Sequence, residues 1–205
     1  MLYRSIIAGL LVASSLAAGQ ALAQDAASIA SDAAEGFGPE VGATAPALSV
    51  FDSEGQARTL GSLYGENGVI IYFNRSLDWC PICQRQTLEI DAEVERFNTR
   101  GYEVAVLTYD SVETLARFDL RRKVDIVLLS DEGSVTIDAF DVRDPVYAEP
   151  DSFAHGVPYP VAFVIGADGV VQAKFWHEAG LGDARGYAAR VTVEDVLAEL
   201  DALSD

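Results

Sequence analysis

The chain has 205 residues, 50% of them apolar, with 32 acidic side chains against 14 Lys and Arg and a formal net charge of −18. That length suits one domain with a sizeable core. So acidic a surface repels nucleic acid and anionic membranes, which excludes stable association with either.

Residues 1–23, MLYRSIIAGLLVASSLAAGQALA, read as a cleavable export signal. Arg4 gives a positive start, Ile6 to Leu16 is a short apolar run, and Ala21-Leu22-Ala23 is an A-x-A cleavage site. The run is shorter than the roughly 20 apolar residues that a bilayer-spanning helix needs. The mature protein is expected to start at Gln24 and to work in the periplasm or outside the cell. Residues 24–40, rich in Ala, Ser, Gly and acids, read as a flexible leader. Residues 41–205 read as one domain.

Pro46 to Phe51 alternates towards a turn at Asp52-Ser53-Glu54-Gly55. Strands and helices then alternate. Val69 to Phe73 is a continuous apolar run, as in a buried strand, and Glu103 to Thr108, Ile126 to Ser130 and Val161 to Ile165 share its character. Pro81 suits a first helical position, and a helix is predicted from there to about Asn98. Ser111 caps a second helix carrying Leu115 and Phe118, and a short helix covers Ser134 to Phe140. Asp141 to Tyr159 is a long irregular stretch, either a plain loop or a partner-recognising one. Ala167-Asp168-Gly169 turns the chain back into a hairpin strand from Val170 to Trp176. Thr192 to Asp195 opens the last helix as a near capping box, with Val193, Val196, Leu197 and Leu200 as its core stripe. The predicted class is α/β, a mixed and mostly parallel sheet flanked by helices.

Residues 78–84, DWCPICQ, hold both cysteines. Three readings stand open. A structural staple fits an exported protein, but so short a loop restrains the unfolded chain little. A metal clamp needs His155 beside Cys80 and Cys83, as for Cu(I); a four-ligand zinc site is poorly supplied. A redox pair fits best. Cys80 lies at a helix start, where unpaired N–H groups and the helix dipole favour a thiolate. Cys83, one turn on, shares the core face with Ile90, Val94 and Phe97. Cys80 is therefore expected to attack and Cys83 to resolve, with Trp79 packed beside the pair. Asp78 and Glu89 oppose a thiolate, while Arg75 and Arg85 favour it. Pro81-Ile82 adds no charge, so a reductant or mid-range exchanger is expected.

FNRSLDWCPICQRQ after an apolar strand resembles the active-site turn of the thioredoxin-fold superfamily. LLSDEGSVTIDAFDV resembles the strand–helix insertion of peroxiredoxins, and HGVPYPVAFVIGADGVV the segment with the fold's cis-proline and final hairpin. The likeness covers about Val41 to Leu203 and is nearest to the redoxin group of the alkyl-hydroperoxide-reductase and thiol-specific-antioxidant family. It implies a thioredoxin-like fold with catalytic Cys80 and Cys83. Trp79, Pro81, Tyr159, Arg75 and a cis Pro160 would support them. It implies no cofactor, no metal, a protein disulfide or hydroperoxide as substrate, and an external dithiol as electron donor. The peroxiredoxin pattern P-x-x-x-T-x-x-C, laid on Cys83, puts Ser76 at Pro and Cys80 at Thr. The family's second active-site Arg falls near Tyr159 or Pro160, and Arg75 is the candidate substitute. Asn74 stands where thioredoxins hold a buried acid. The leading reading is an exported thiol–disulfide oxidoreductase. The alternatives are a thiol peroxidase and a Cu(I)-handling protein.

Overall fold

A computed structural model describes residues 37–204 of the chain. The expected export signal lies outside the described residues. The leader was expected to run to residue 40, but its last residues are packed. Phe37 is buried and stacks on Trp176, with ring centroids 4.5 Å apart. The buried Lys174 ammonium donates to the Phe37 carbonyl at 2.9 Å. An aromatic ring and an unmet acceptor at one position tie down a segment whose average composition is polar.

Seven strands form one sheet: β1 (Ser49–Asp52), β2 (Ala57–Thr59), β3 (Gly68–Phe73), β4 (Tyr102–Thr108), β5 (Val127–Ser130), β6 (Val161–Gly166) and β7 (Val171–Trp176). Their order is β2-β1-β5-β4-β3-β6-β7. The sheet is mixed, as expected, but parallel only at β3–β4 and β4–β5. The other pairs run antiparallel, which corrects the reading of a mostly parallel sheet. Helical crossovers occupy only the stretch from β3 to β5, and parallel pairing needs such crossovers. The three-residue β2 was not predicted, and Ala57-Arg58-Thr59 carries no apolar alternation to reveal it.

All six residues of β3 and of β6 are buried, which accounts for their unbroken apolar runs. Gly68 opens β3 at a positive φ of 147°, where a side chain would strike the Ile165 carbonyl. Along β3 the side chains alternate between two cores. Ile70 and Tyr72 join one cluster, and Val69, Ile71 and Phe73 the other. The first cluster is completed by helices α1 (Pro81–Asp91), α2 (Val94–Asn98), α3 (Val112–Arg122) and α5 (Val193–Leu203). The second is covered by α4 (Val135–Ala139) and by Phe37, Ala45 and Leu48. Fully buried Phe97 and Phe163 each contribute about 1.5–3 kcal/mol by leaving water.

Two local expectations change. The single helix predicted to Asn98 breaks at Ala92–Glu93. The Asp91 carboxylate accepts the backbone N–H groups of Asp125 and Ile126, at 2.6 and 3.1 Å. Those bonds tie the end of α1 to the approach to β5, and α2 restarts after them with Val94 and Phe97 buried. Pro160 was expected to be cis, but every described peptide bond is trans. Pro158 bridges Arg143 and the Tyr159 N–H donates to the Val142 carbonyl at 2.8 Å. The chain thus runs extended into β6, with no tight turn to offset the ordinary trans preference.

Candidate active site

The loop after β3 carries the site. Asn74, Arg75, Ser76 and Leu77 are all buried there. Asp110, just past β4, pins this loop. Its carboxylate accepts the Ser76 hydroxyl at 2.7 Å, the Leu77 N–H at 2.6 Å and the Thr108 hydroxyl at 3.1 Å. Burial pushes the Asp110 carboxyl above its ordinary pKa, and those donors oppose the shift without cancelling it. Ser76 Oγ in turn accepts the N–H groups of Asp78 and Trp79, which sets the approach to the cysteines.

Cys80 and Cys83 form a disulfide with Cα atoms 5.2 Å apart. Pro81 takes the first position of α1. Cys80 is the N-cap, and its sulfur accepts the Cys83 N–H at 3.3 Å. Cys80 is 3% exposed and Cys83 is 0% exposed. The buried stripe of α1 is Cys83, Gln86, Thr87 and Ile90, the i, i+3, i+4, i+7 spacing of one helical face.

An arginine with no sequence signal completes the site. Arg190 Nη2 lies 3.2 Å from Cys83 Sγ. Its Nη1 donates to Asn74 Oδ1 at 2.8 Å and to Gln86 Oε1 at 3.1 Å. Asn74 also donates to the Cys83 carbonyl at 3.3 Å. Burial lowers the Arg190 pKa to about 10, and the nearby Arg75 charge adds to that fall. Arg190 therefore stays a cation at neutral pH. A groove of about 360 Å³, lined by Gln86, Ile90, Arg190, Val191 and Val193 among others, leads to it from solvent.

Tyr159 holds the segment that delivers Arg190. It is buried, and its hydroxyl donates to the His177 carbonyl at 2.7 Å. Beside it, Gly180 and Gly186 pack backbone to backbone, so a side chain on Gly186 would collide with the Gly180 carbonyl. Pro160 lines a small cavity with Tyr72, Gln86 and Val191, one side chain away from Arg190.

Arg75 does something different. It is 1% exposed, and none of its three guanidinium nitrogens has a hydrogen-bond partner among the described residues. Aromatic rings surround it instead. Its Cζ lies 3.9 Å from the ring centre of Tyr187, 4.7 Å from Tyr147 and 5.1 Å from Trp79. Trp79 packs against the cluster that holds both cysteines and donates to Tyr109 Oη at 3.0 Å.

The structure thus gathers Trp79, Cys80, Pro81, Cys83 and Arg75 into one place. Tyr159 stands behind them as an anchor, and Pro160 at the margin. Arg75 was expected to replace the missing family arginine, but Arg190 is the one on the sulfur. Arg190 follows Cys83 by 107 residues and belongs to no motif. Gln86 was not singled out, although it lies three residues past Cys83 on the same helical face. His155 does not join the cysteines. Among the described residues no three His, Cys, Asp or Glu side chains gather as a metal would require, so the copper reading loses its ligand set. The expectation that little supports a thiolate also changes, because Arg190 sits against Cys83.

The AhpC/TSA family profile matches residues 41–174. Chloroplastic peroxiredoxin Q of Sedum lineare is 30% identical over 131 residues, which are 64% of this chain and 66% of that protein. Peroxiredoxin Bcp of Escherichia coli strain K12 is 24% identical over 136 residues, 66% of this chain and 85% of that one. The crystal structure of peroxidoxin BcpB from Mycobacterium tuberculosis has the same fold, with a TM-score of 0.63 at 22% identity over 80% of this chain and 97% of that one. The family match ends before Tyr187 and Arg190, so the arginine on the sulfur lies beyond the shared stretch. With residues 41–174 matched, most of those the structure describes, the chain belongs to the AhpC/TSA family.

Proposed function

We propose that this protein is a thiol peroxidase that reduces hydroperoxides, with Cys83 as the attacking thiol and Cys80 as the resolving one. The carrying observation is the Arg190 Nη2 contact with Cys83 Sγ at 3.2 Å. A cation at the sulfur stabilises the thiolate, which is the nucleophile. The family pattern also puts its reactive cysteine at Cys83. This reverses the roles expected from helix position alone. Cys80 takes the backbone donor, but Cys83 takes the charge.

The chemistry runs in two steps. The Cys83 thiolate attacks one peroxide oxygen. A sulfur–oxygen bond forms, the oxygen–oxygen bond breaks, and the leaving alkoxide takes a proton to give an alcohol. The sulfenic acid on Cys83 is then attacked by the Cys80 thiol as it gives up its proton. A disulfide forms and hydroxide leaves as water with the proton of Cys80. The short Cα separation allows this closure without unwinding α1. An external dithiol returns both electrons. Arg190 both lines the groove and donates to the Cys83 sulfur, which supports a role in holding the peroxide.

The export signal read over residues 1–23 supports work outside the cytoplasm, where a membrane-bound dithiol would be the donor. The test is peroxide consumption by single cysteine variants. Cys83→Ser should consume none. Cys80→Ser should complete one turnover and leave a sulfenic acid that dimedone traps on Cys83. Undiminished consumption by Cys83→Ser would overturn the assignment. One observation favours a second reading, exchange with a protein disulfide. Phe153 is 75% exposed and meets Trp79 edge-on at 5.4 Å, an aromatic face beside the disulfide. Reduction of a protein disulfide without peroxide consumption would select that reading.

A further inference from the structure

Arg75 is not used by the chemistry above, and its burial needs a reason. A buried cation without hydrogen-bond partners is costly, and cation–π contacts offset only part of that cost. A neutral side chain of similar length would fill the space between the three rings with less penalty. The position is telling. Asn74, the preceding residue, binds both the Cys83 carbonyl and Arg190. Trp79, which packs on the guanidinium, adjoins Cys80.

The charges around the sulfurs can be weighed. In the disulfide state two buried guanidinium groups, Arg75 and Arg190, have no carboxylate in hydrogen-bond contact. The exposed Arg85 lies five residues beyond Cys80 on α1. Four acids oppose them, and one, the exposed Glu89, pairs with Arg85 at 3.6 Å. Asp144 is buried and accepts the Val146 N–H, Asp110 is committed to the loop, and Asp78 is exposed. Tyr159 is neutral at ordinary pH, because burial raises its pKa. None of the acids touches a sulfur, whereas Arg190 does. Reduction of the disulfide supplies the anion that this arrangement lacks.

We propose that Arg75 is a positioning residue that acts through its charge: sealed among Trp79, Tyr147 and Tyr187, it maintains a positive potential that favours the Cys83 thiolate and the reduced form of the pair. This rests on the dithiol chemistry proposed above. The aromatic cage keeps water and salt away from the charge, so its field at the sulfurs is weakly screened. Arg190 makes the contact, and Arg75 reinforces it from behind.

The test equilibrates the protein with glutathione. Two glutathione thiols pass two electrons and two protons to the disulfide, giving the dithiol and glutathione disulfide. In Arg75→Met this equilibrium should move about tenfold towards the protein disulfide, which is about 30 mV more reducing. In a Cys80→Ser background, the pH midpoint of Cys83 alkylation should rise by about one unit. Arg75→Lys should stay near the parent in both. Asp144→Asn keeps an acceptor for the Val146 N–H, removes an opposing charge, and should move the midpoint down. A folded Arg75→Met with both readings unchanged overturns the proposal, as does a shift of Asp144→Asn in the same direction as Arg75→Met. Should Arg75→Met fail to fold, a shifted Arg75→Lys or an unshifted Asp144→Asn overturns it instead. Neither measurement uses peroxide, so loss of the peroxidase reading alone leaves this result standing.

Discussion

Two arginines sit within the same site, and the protein treats them in opposite ways. Arg190 is held by polar atoms: an asparagine oxygen, a glutamine oxygen and a cysteine sulfur. The Arg75 guanidinium meets three aromatic rings and, among the described residues, no hydrogen-bond acceptor. The first arrangement fixes direction, because each N–H points at a chosen acceptor. The second fixes only charge, because a ring face attracts a cation without orienting its donors. A reactive thiolate gains from both. It needs a donor aimed at it and a field that persists as the donor moves.

The strongest way to break this comparison is to neutralise each arginine and follow peroxide consumption. Loss of one donor aimed at a reacting centre costs on the order of 100-fold. Arg190→Met is expected to lose about that much, and Arg190→Lys less, because a cation remains near Cys83. Arg75→Met is expected to lose no more than about tenfold, the effect of one unit in thiol pKa. Equal losses in the two Met variants would show that Arg190 gives no directional help.

The two arginines also differ in how the sequence presents them. Arg75 lies five residues before Cys80 and entered the reading at once, as a charge that favours a thiolate and as the candidate for the family's second arginine. Its burial depends on Tyr147 and Tyr187, which arrive from distant turns. Arg190 gave no warning. It sits in GYAARVTVED, where the visible signal is the capping box of α5. What brings it to Cys83 is the close approach of Gly180 and Gly186 and the Tyr159 anchor, contacts that no local pattern encodes. The strands other than β2, the helix caps and the cysteine turn were legible because they are local. The break after α1 was not, because Asp91 is recruited by a distant segment. Export and the leader up to residue 36 lie outside the described residues.

A second experiment sharpens the contrast through stability. The nearest ring to Arg75 is Tyr187, and a desolvated cation–π contact is worth about 2 kcal/mol. A double-mutant cycle of Arg75→Met with Tyr187→Leu, read by chemical denaturation, is expected to give a coupling of about that size. Residues in contact are the ones that fail to add. Additive effects would mean that the cage holds Arg75 by packing alone, and that its charge gains nothing from the rings.

The smallest expected effect concerns Asp110, which fixes the loop carrying both Arg75 and Asn74, the asparagine that accepts from Arg190. Its folded pKa lies above its ordinary 3.8, with burial as the main cause. The sign follows from proton counting. Below about pH 3.8 both folded and unfolded chains hold this proton, and the group adds no pH dependence. As pH rises through 3.8 the unfolded chain loses the proton first, while the folded chain keeps it. Stability from this group therefore falls with rising pH until the folded carboxyl has also ionised, and is level above that. Asp110→Asn cannot ionise. It keeps an acceptor for the Leu77 N–H, and its amide can donate to Ser76 Oγ. The difference in unfolding free energy, wild type minus Asp110→Asn, is expected to decline from acidic to neutral pH. Other acids, such as Asp52 with its lowered pKa, cancel in that difference. A rising difference would mean that the three hydrogen bonds outweigh burial, and that the loop is held by a carboxylate more comfortable folded than free.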